Sequence, residues 1–302
     1  MNHISFSGRV ALVTGGGRGL GLAYCRELAR RGAAVVVHDN GSGVDGRGHD
    51  PAPAHEAAAA IVAEGGRATA CVTDASTEDG GLEAIDVAVC EYGRLDAVIA
   101  NAGIIHADAF ADWPTDRFDA LWPHHVLAAF HVVRPAFAVM KQAGYGRVVF
   151  VSSAAGVFGQ PGLAGYATAK TGMLGLMNVL ALEGAEFGIT ANAIMPMAAT
   201  RMATALMAEA AETGREFLET LGVEQVAPVV VYLASEECTR TKLVLSAFRG
   251  RVASLQIGVT RGWNSESGAV SAEDVATHLD EITDADGLLV PGSIFDEMAY
   301  LP

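Results

Sequence analysis

Seven short apolar runs recur along the chain, separated by segments long enough to hold a helix. They are RVALVT (9–14), AAVVVHD (33–39), RATACVTD (67–74), LDAVIANAG (95–103), GRVVFVSS (146–153), ITANAIM (189–195) and VASLQIG (252–258). Most do not alternate apolar with polar residues, so both faces of each strand must be covered. Strands joined by helical crossovers assemble into a parallel sheet, and the spacing here predicts an α/β fold: a doubly wound, seven-stranded parallel sheet with helices on both faces. In the first intervening segment Leu20, Ala23, Tyr24 and Leu28 share a helical face, and Gly32 supplies a C-terminal stop. Ligands of such sheets sit beyond the carboxyl ends of the strands, which directs attention to the loops after Thr14, Asp39, Asp74, Asn101 and Ser153.

With 302 residues, 51% of them hydrophobic, the chain can bury a large core, and no charge block, repeat or Pro/Ser-rich linker divides it. A net charge of −15 works against general attraction to nucleic acid or anionic membrane, so an anionic ligand needs a local positive site. The start MNHISFSGRVALVTGGG lacks the basic opening and small-residue cleavage site of a secretory signal, and no run of about 18 apolar residues predicts a membrane span. A cytoplasmic location is the expectation. Cys25, Cys71, Cys90 and Cys238 show no CxxC spacing and are expected to be reduced, buried, small hydrophobes. His124 and His131 lack carboxylate or cysteine companions at ligand spacing, so no metal site is read.

TGGGRGLG follows the first run directly. Gly15, Gly19 and Gly21 permit a tight turn and close backbone approach before a helix whose unpaired N–H groups face a pyrophosphate. Asp39 ends the second run, where a carboxylate accepts hydrogen bonds from ribose hydroxyls or closes a turn. Arg18 offers a cation for the additional phosphate of NADP. A carboxylate about 4 Å from one phosphate charge opposes it by roughly 1 to 4 kcal/mol at surface dielectrics, which favours NAD. Asp74 is placed either to meet the adenine or to start a turn, and Asn101 to Gly103 form an NAG stretch that lets backbone pass close to a ligand.

YATAK places Tyr166 and Lys170 four residues apart, neighbours on one helix face. Bringing a phenol from a pKa of about 10 to 7 takes roughly 4 kcal/mol; a cation about 5 Å away at an effective dielectric near 20 supplies around 3. The pair is therefore an acid/base candidate, against the plainer reading of a packed tyrosine beside a solvated lysine. Ser153, thirteen residues upstream within VSSAAG at the end of a run, tips the balance towards chemistry.

TGGGRGLG, NAG, Ser153 and YATAK, in this order and at these spacings, resemble the short-chain dehydrogenase/reductases across roughly residues 6 to 265. The resemblance implies a Rossmann-type domain over 1–265, with 266–302 as a C-terminal extension. It implies that Tyr166 exchanges the hydroxyl proton, Lys170 lowers its pKa and holds the nicotinamide ribose, and Ser153 fixes the substrate oxygen. The implied cofactor path runs along Gly15, Arg18, Gly19, Leu20, Asp39, Asp74, Ala75, Asn101, Gly103, Tyr166, Lys170, Met197 and Thr200. GRVALVTGGGRGLG, VVVHDNGSG, YGRVVFVSSAAGVFGQ and PMAATRM are similar to the (3R)-hydroxyacyl-CoA dehydrogenase part of peroxisomal multifunctional enzyme type 2. That NAD-preferring branch includes bacterial steroid-degrading 17β-hydroxysteroid and hydroxyacyl-CoA dehydrogenases. Two departures stand out. His125 falls where most of the superfamily carries asparagine, either to anchor the water that relays protons from Lys170 or as a core or surface histidine. Downstream, TKLVLSAFRGR and GVTRGWNSES exceed the pattern, and SAEDVATHLDEI reads as one helix capped by Ser271 and Asp274. The extension is either a cover for the substrate mouth or a neighbouring subunit, or a packed tail.

PMAATRMATALMAEAAETGREFLETLG after the sixth run is rich in Met, Ala and Thr, as suits a mobile apolar lid or a core helix, and Arg201 is the cation nearest an acyl-CoA phosphate. TGMLGLMNVLALEGAEFG is apolar nearly all round, and in this superfamily the corresponding helix packs on its copy, so a homodimer or homotetramer is expected. The resulting expectation is an NAD-dependent oxidoreductase for a hydrophobic secondary alcohol or ketone, (3R)-hydroxyacyl-CoA or a 17β-hydroxysteroid. An NADPH-dependent 3-oxoacyl reductase and an inactive dinucleotide-binding sensor are the alternatives.

Overall fold

The structure, a computed structural model, describes residues 3–206 and 212–299. The chain divides into two compact units, Met1–Ser254 and Leu255–Pro302. The strands are β1 (Val10–Thr14), β2 (Ala34–His38), β3 (Arg67–Cys71), β4 (Ala97–Ala100), β5 (Gly146–Val151), β6 (Ile189–Pro196), β7 (Val244–Phe248) and β8 (Arg251–Leu255). They form one sheet in the order β3-β2-β1-β4-β5-β6-β7-β8. β1 to β7 pair in parallel, and the order reverses between β1 and β4, the switch point of a doubly wound sheet.

Eight strands stand where seven are expected. The strand that pairs with β6 comes from residues 244–248, inside the segment read as an excess, and the run at 252–258 supplies β8 instead. Arg249 (φ 47°) and Gly250 (φ 75°) both adopt the left-handed conformation of a tight hairpin turn. A two-residue connection can only reverse the chain, so β8 closes the sheet as an antiparallel edge. An arginine at positive φ carries no compositional warning, which is why the turn escapes a reading of the sequence.

The helices are α1 (Gly19–Arg30), α2 (Ala52–Ala63), α3 (Glu78–Tyr92), α4 (Thr115–Trp122), α5 (Ala128–Ala143), α6 (Ala154–Phe158), α7 (Ala164–Gly184), α8 (Arg201–Leu206), α9 (Glu212–Glu219) and α10 (Ala227–Ala234). α1 packs with α2 and α10, while α3, α5, α7 and α4 form a second connected layer. α1 buries Tyr24, Cys25, Leu28 and Ala29 against Val13, Val35, Val37 and Val231; of the predicted face, Tyr24 and Leu28 are buried while Leu20 and Ala23 are partly buried at its edge. Cys25, Cys71 and Cys238 are buried as expected, but Cys90 is exposed, because it lies on the solvent side of the partly polar α3. Among the described residues no helix is long and apolar enough to cross a membrane.

Within the second unit, α11 (Ala272–Thr277), α12 (Leu279–Ile282) and α13 (Ile294–Met298) accompany a bridge between Val259 and Leu289. Ser271 and Asp274 form the expected capping box. The single helix expected there breaks at His278, whose backbone leaves helical geometry (φ −103°, ψ 15°) and whose ring stacks on Trp263 at 4.2 Å.

Candidate active site

At the switch point the ends of β1 and β4 are fastened together. Thr14 Oγ1 accepts from the Asn101 (2.9 Å) and Ala102 (3.0 Å) amides, and Asn101 Nδ2 donates to the Thr14 carbonyl at 2.9 Å. This spends the Asn101 side chain on backbone, leaving the NAG turn as a wall of the cleft. Gly15 takes φ +65°, and a Cβ on Gly21 would lie 2.0 Å from the Gly15 carbonyl oxygen. Only a bare backbone allows the turn to curl this tightly onto the start of α1.

Asp39 is buried and pinned: one oxygen accepts from Gly17 N at 2.9 Å, the other from Gly41 N at 2.8 Å. Each oxygen retains lone-pair capacity for a ligand hydroxyl. Arg18 stands 3.9 Å from this carboxylate and donates to the Ser42 carbonyl at 2.9 Å. Asp74 holds the turn into α3 by accepting from Ser76 N at 2.9 Å, and it still lines the cleft beside buried Ala75. A nicotinamide dinucleotide fits these residues: a glycine cradle that a Cβ would fill, a helix start facing it, and a carboxylate fixed at the end of β2.

One wall was not foreseen. Residues 40–50 form a loop tied at its base by Asp50 N to the Asn40 carbonyl (3.0 Å), and they bring Ser42, Gly43 and Val44 to the cleft. The Val44 carbonyl accepts from Ile105 N at 2.8 Å, joining this loop to the segment after β4. Its Gly- and Asp-rich composition marks a loop, but nothing in it forecasts a partner some sixty residues away.

The other end of the cleft gathers Ser153, Tyr166 and Lys170; Met197 and Thr200 line the same cleft, Thr200 beside the turn at Gly19. Ser153 follows β5 and caps α6, its Oγ accepting from Ala155 N at 3.2 Å. Tyr166 and Lys170 rise from the first turns of α7, which Ser152 Oγ anchors to β5 through the Lys170 carbonyl at 2.8 Å. Lys170 Nζ lies 5.8 Å from the Tyr166 ring centre and donates to the Val151 carbonyl at 2.7 Å. Gly15, Arg18, Gly19, Leu20, Asp39, Asp74, Ala75, Asn101 and Gly103 complete the same cleft.

His125 is the expected site residue that stays outside it. The helix carrying it widens to a π-turn over Pro123–Leu127, and the imidazole is turned inward, 1% exposed. Its Nε2 lies 2.8 Å from the Ile104 carbonyl and 3.3 Å from Ile104 N, so the shorter contact makes it the donor and leaves Nδ1 bare. The ring meets Tyr166 edge-on at 5.4 Å. Instead of reaching Lys170, His125 holds the loop after β4 and the face of the tyrosine, because its ring fills the space over Gly103. Its neighbour His124 lines the cleft in its place.

The electrostatics differ from the simple pair picture. Burial raises the Tyr166 pKa above its ordinary value while a hydrogen bond from Ser153 lowers it, and burial takes Lys170 down to about 7. Burial is the larger influence on both groups, and Lys170 Nζ is turned to the Val151 carbonyl. Among the described residues no three His, Cys, Asp or Glu gather to hold a metal ion.

Two buried imidazoles make stability sensitive to acid. The Thr73 hydroxyl donates to the Gly80 carbonyl (2.9 Å), so it accepts from His38 Nε2 at 3.0 Å, and burial lowers the His38 pKa to about 4. His125 is held well below its ordinary value by burial, then by Lys170. Between pH about 6.5 and 4 the unfolded chain takes up protons that the folded chain refuses. Stability is therefore complete above that window and is lost as pH falls through it. His38→Gln keeps a donor for Thr73 without titrating, so the fall in unfolding free energy measured by denaturant titration from pH 7 to 4.5 should become shallower by about one proton's worth, roughly 1.4 kcal/mol per pH unit.

A parallel sheet with a glycine-rich turn at its switch point and a serine, tyrosine and lysine in the adjoining cleft defines a nucleotide-dependent oxidoreductase architecture. The short chain dehydrogenase family signature matches residues 9–212, and the chain belongs to this family, whose members bind a nicotinamide dinucleotide. It is 41% identical over 284 residues to a Mycobacterium tuberculosis protein named a short-chain type dehydrogenase/reductase, covering 94% of this chain and 97% of that one. It is 36% identical over 267 residues to peroxisomal multifunctional enzyme type 2 of Mus musculus, covering 88% of this chain but 34% of that longer protein. The solved full-length peroxisomal multifunctional enzyme type 2 of Drosophila melanogaster superposes with a TM-score of 0.80 at 27% identity, over 98% of this chain and 49% of that one. The chain thus resembles the dehydrogenase part of the multifunctional enzyme.

Proposed function

We propose that the protein oxidises a hydrophobic secondary alcohol with NAD, with (3R)-hydroxyacyl-CoA as the substrate class to test first and a 17β-hydroxysteroid second. The observation that carries this reading is the convergence of Ser153, Tyr166 and Lys170 on the cleft that also holds pinned Asp39. Likeness to the multifunctional enzymes supports the acyl-CoA class. A bound nicotinamide supplies the hydride acceptor, or the donor in reverse. Ser153 holds the substrate oxygen and already lowers the Tyr166 pKa. Tyr166 Oη takes the hydroxyl proton, and Lys170 stands behind it as the buried cation that favours the phenolate. The edge-on His125 ring fixes the tyrosine's orientation. Exposed Val179 and Leu182 on α7 support contact with a second copy.

Asp39 carries the NAD preference, since a ribose phosphate would lie against a buried carboxylate whose oxygens are already engaged. Initial rates with NAD and NADP, measured on hydroxyacyl-CoA thioesters and steroid alcohols, test both halves of the proposal. NAD should be preferred, and Asp39→Ala should narrow the preference by about tenfold or more. A wild-type preference for NADP would overturn the assignment.

A further inference from the structure

Arg201 opens α8, directly after Thr200, and lines the cleft together with Arg18. A Cβ placed on Gly19 would touch the Thr200 methyl at 3.8 Å, so this junction lies over the turn that begins α1. Two guanidiniums therefore share the nucleotide end of the cleft with Asp39. That carboxylate is already bound by Gly17 and Gly41 and stands nearer Arg18, which also holds the Ser42 carbonyl. Partial desolvation, then repulsion from Arg18, hold the Arg201 pKa below its ordinary value, with Asp39 pulling the other way. Two cations brought together with one committed anion leave room for a further negative group.

We propose that Arg201 binds the diphosphate of the dinucleotide, so that α8 and the turn after β1 grip one anion. The proposal rests on the dinucleotide reading above. The diphosphate is favoured over a ribose phosphate because Arg201 follows the residue at Gly19, where α1 presents unpaired N–H groups, whereas Asp39 repels a phosphate at the ribose.

Calorimetric titration of the full chain with adenosine, ADP, adenosine 2′-monophosphate and adenosine 3′,5′-bisphosphate tests this without turnover. Arg201→Gln should weaken ADP by about tenfold and leave adenosine unchanged, and Arg201→Lys should recover most of the loss. Unchanged adenosine affinity also certifies that the variant is folded. An equal loss for adenosine and ADP, or none for ADP, overturns the assignment. A loss confined to the 2′-monophosphate or the 3′,5′-bisphosphate overturns it in favour of an NADP or acyl-CoA phosphate. Wild-type protein that binds ADP no better than adenosine would instead defeat the dinucleotide reading.

Discussion

Replacing Tyr166 with Phe is expected to lower turnover of the best alcohol by roughly two to four orders of magnitude, with the dinucleotide Kd nearly unchanged. The substitution removes one oxygen and keeps the ring that His125 meets at 5.4 Å, so packing around α7 survives. In the proposed mechanism the phenol transfers its proton during the reaction, so the loss should fall on kcat. Turnover that persists undiminished in the variant would remove Tyr166 from the chemistry.

Gly103→Ala should disturb the packing around Tyr166 strongly. A methyl there would lie 2.2 Å from His125 Cε1 and 2.5 Å from Nδ1, and the ring has no open space to retreat into. Overpacking of this kind costs about 1 to 3 kcal/mol or more and would displace the ring from both Tyr166 and Ile104. Tm should fall by several degrees and turnover should drop with it. In a His125→Ala background the same Gly103→Ala change should cost much less, and comparing the four proteins by denaturant titration gives the coupling directly. If Gly103→Ala costs the same in both backgrounds, the clash is not the cause.

The apolar runs made strands β1, β2, β4, β5 and β6 readable, because a strand covered on both faces writes its burial into its composition, whereas their order in the sheet came from the structure. Tyr166 and Lys170 were readable for a simpler reason: four residues along a helix bring two side chains to one face whatever else surrounds them. Residues brought to the cleft by distant backbone were harder. Val44 enters through its carbonyl, and any residue type carries one; the Val151 carbonyl that captures Lys170 is equally silent. For His125 the sequence leaves a water anchor and a core histidine both open; the ring is buried against Ile104, as the second reading expects, and the π-turn that aims it there depends on how the helix is wound. The β7–β8 turn was hidden because Arg249 adopts a conformation its side chain does not advertise.

Lys170 is 4% exposed and surrounded by the sheet end and α7, with burial bringing its pKa to about 7 against an ordinary value of about 10.4. Between those values the unfolded amine holds a proton that the folded one has shed, so stability climbs as pH rises and the deficit is complete at and below neutrality. Replacing that buried ammonium with a methionine of similar reach would remove a charge the fold must desolvate, so heat resistance near neutral pH should rise in the variant.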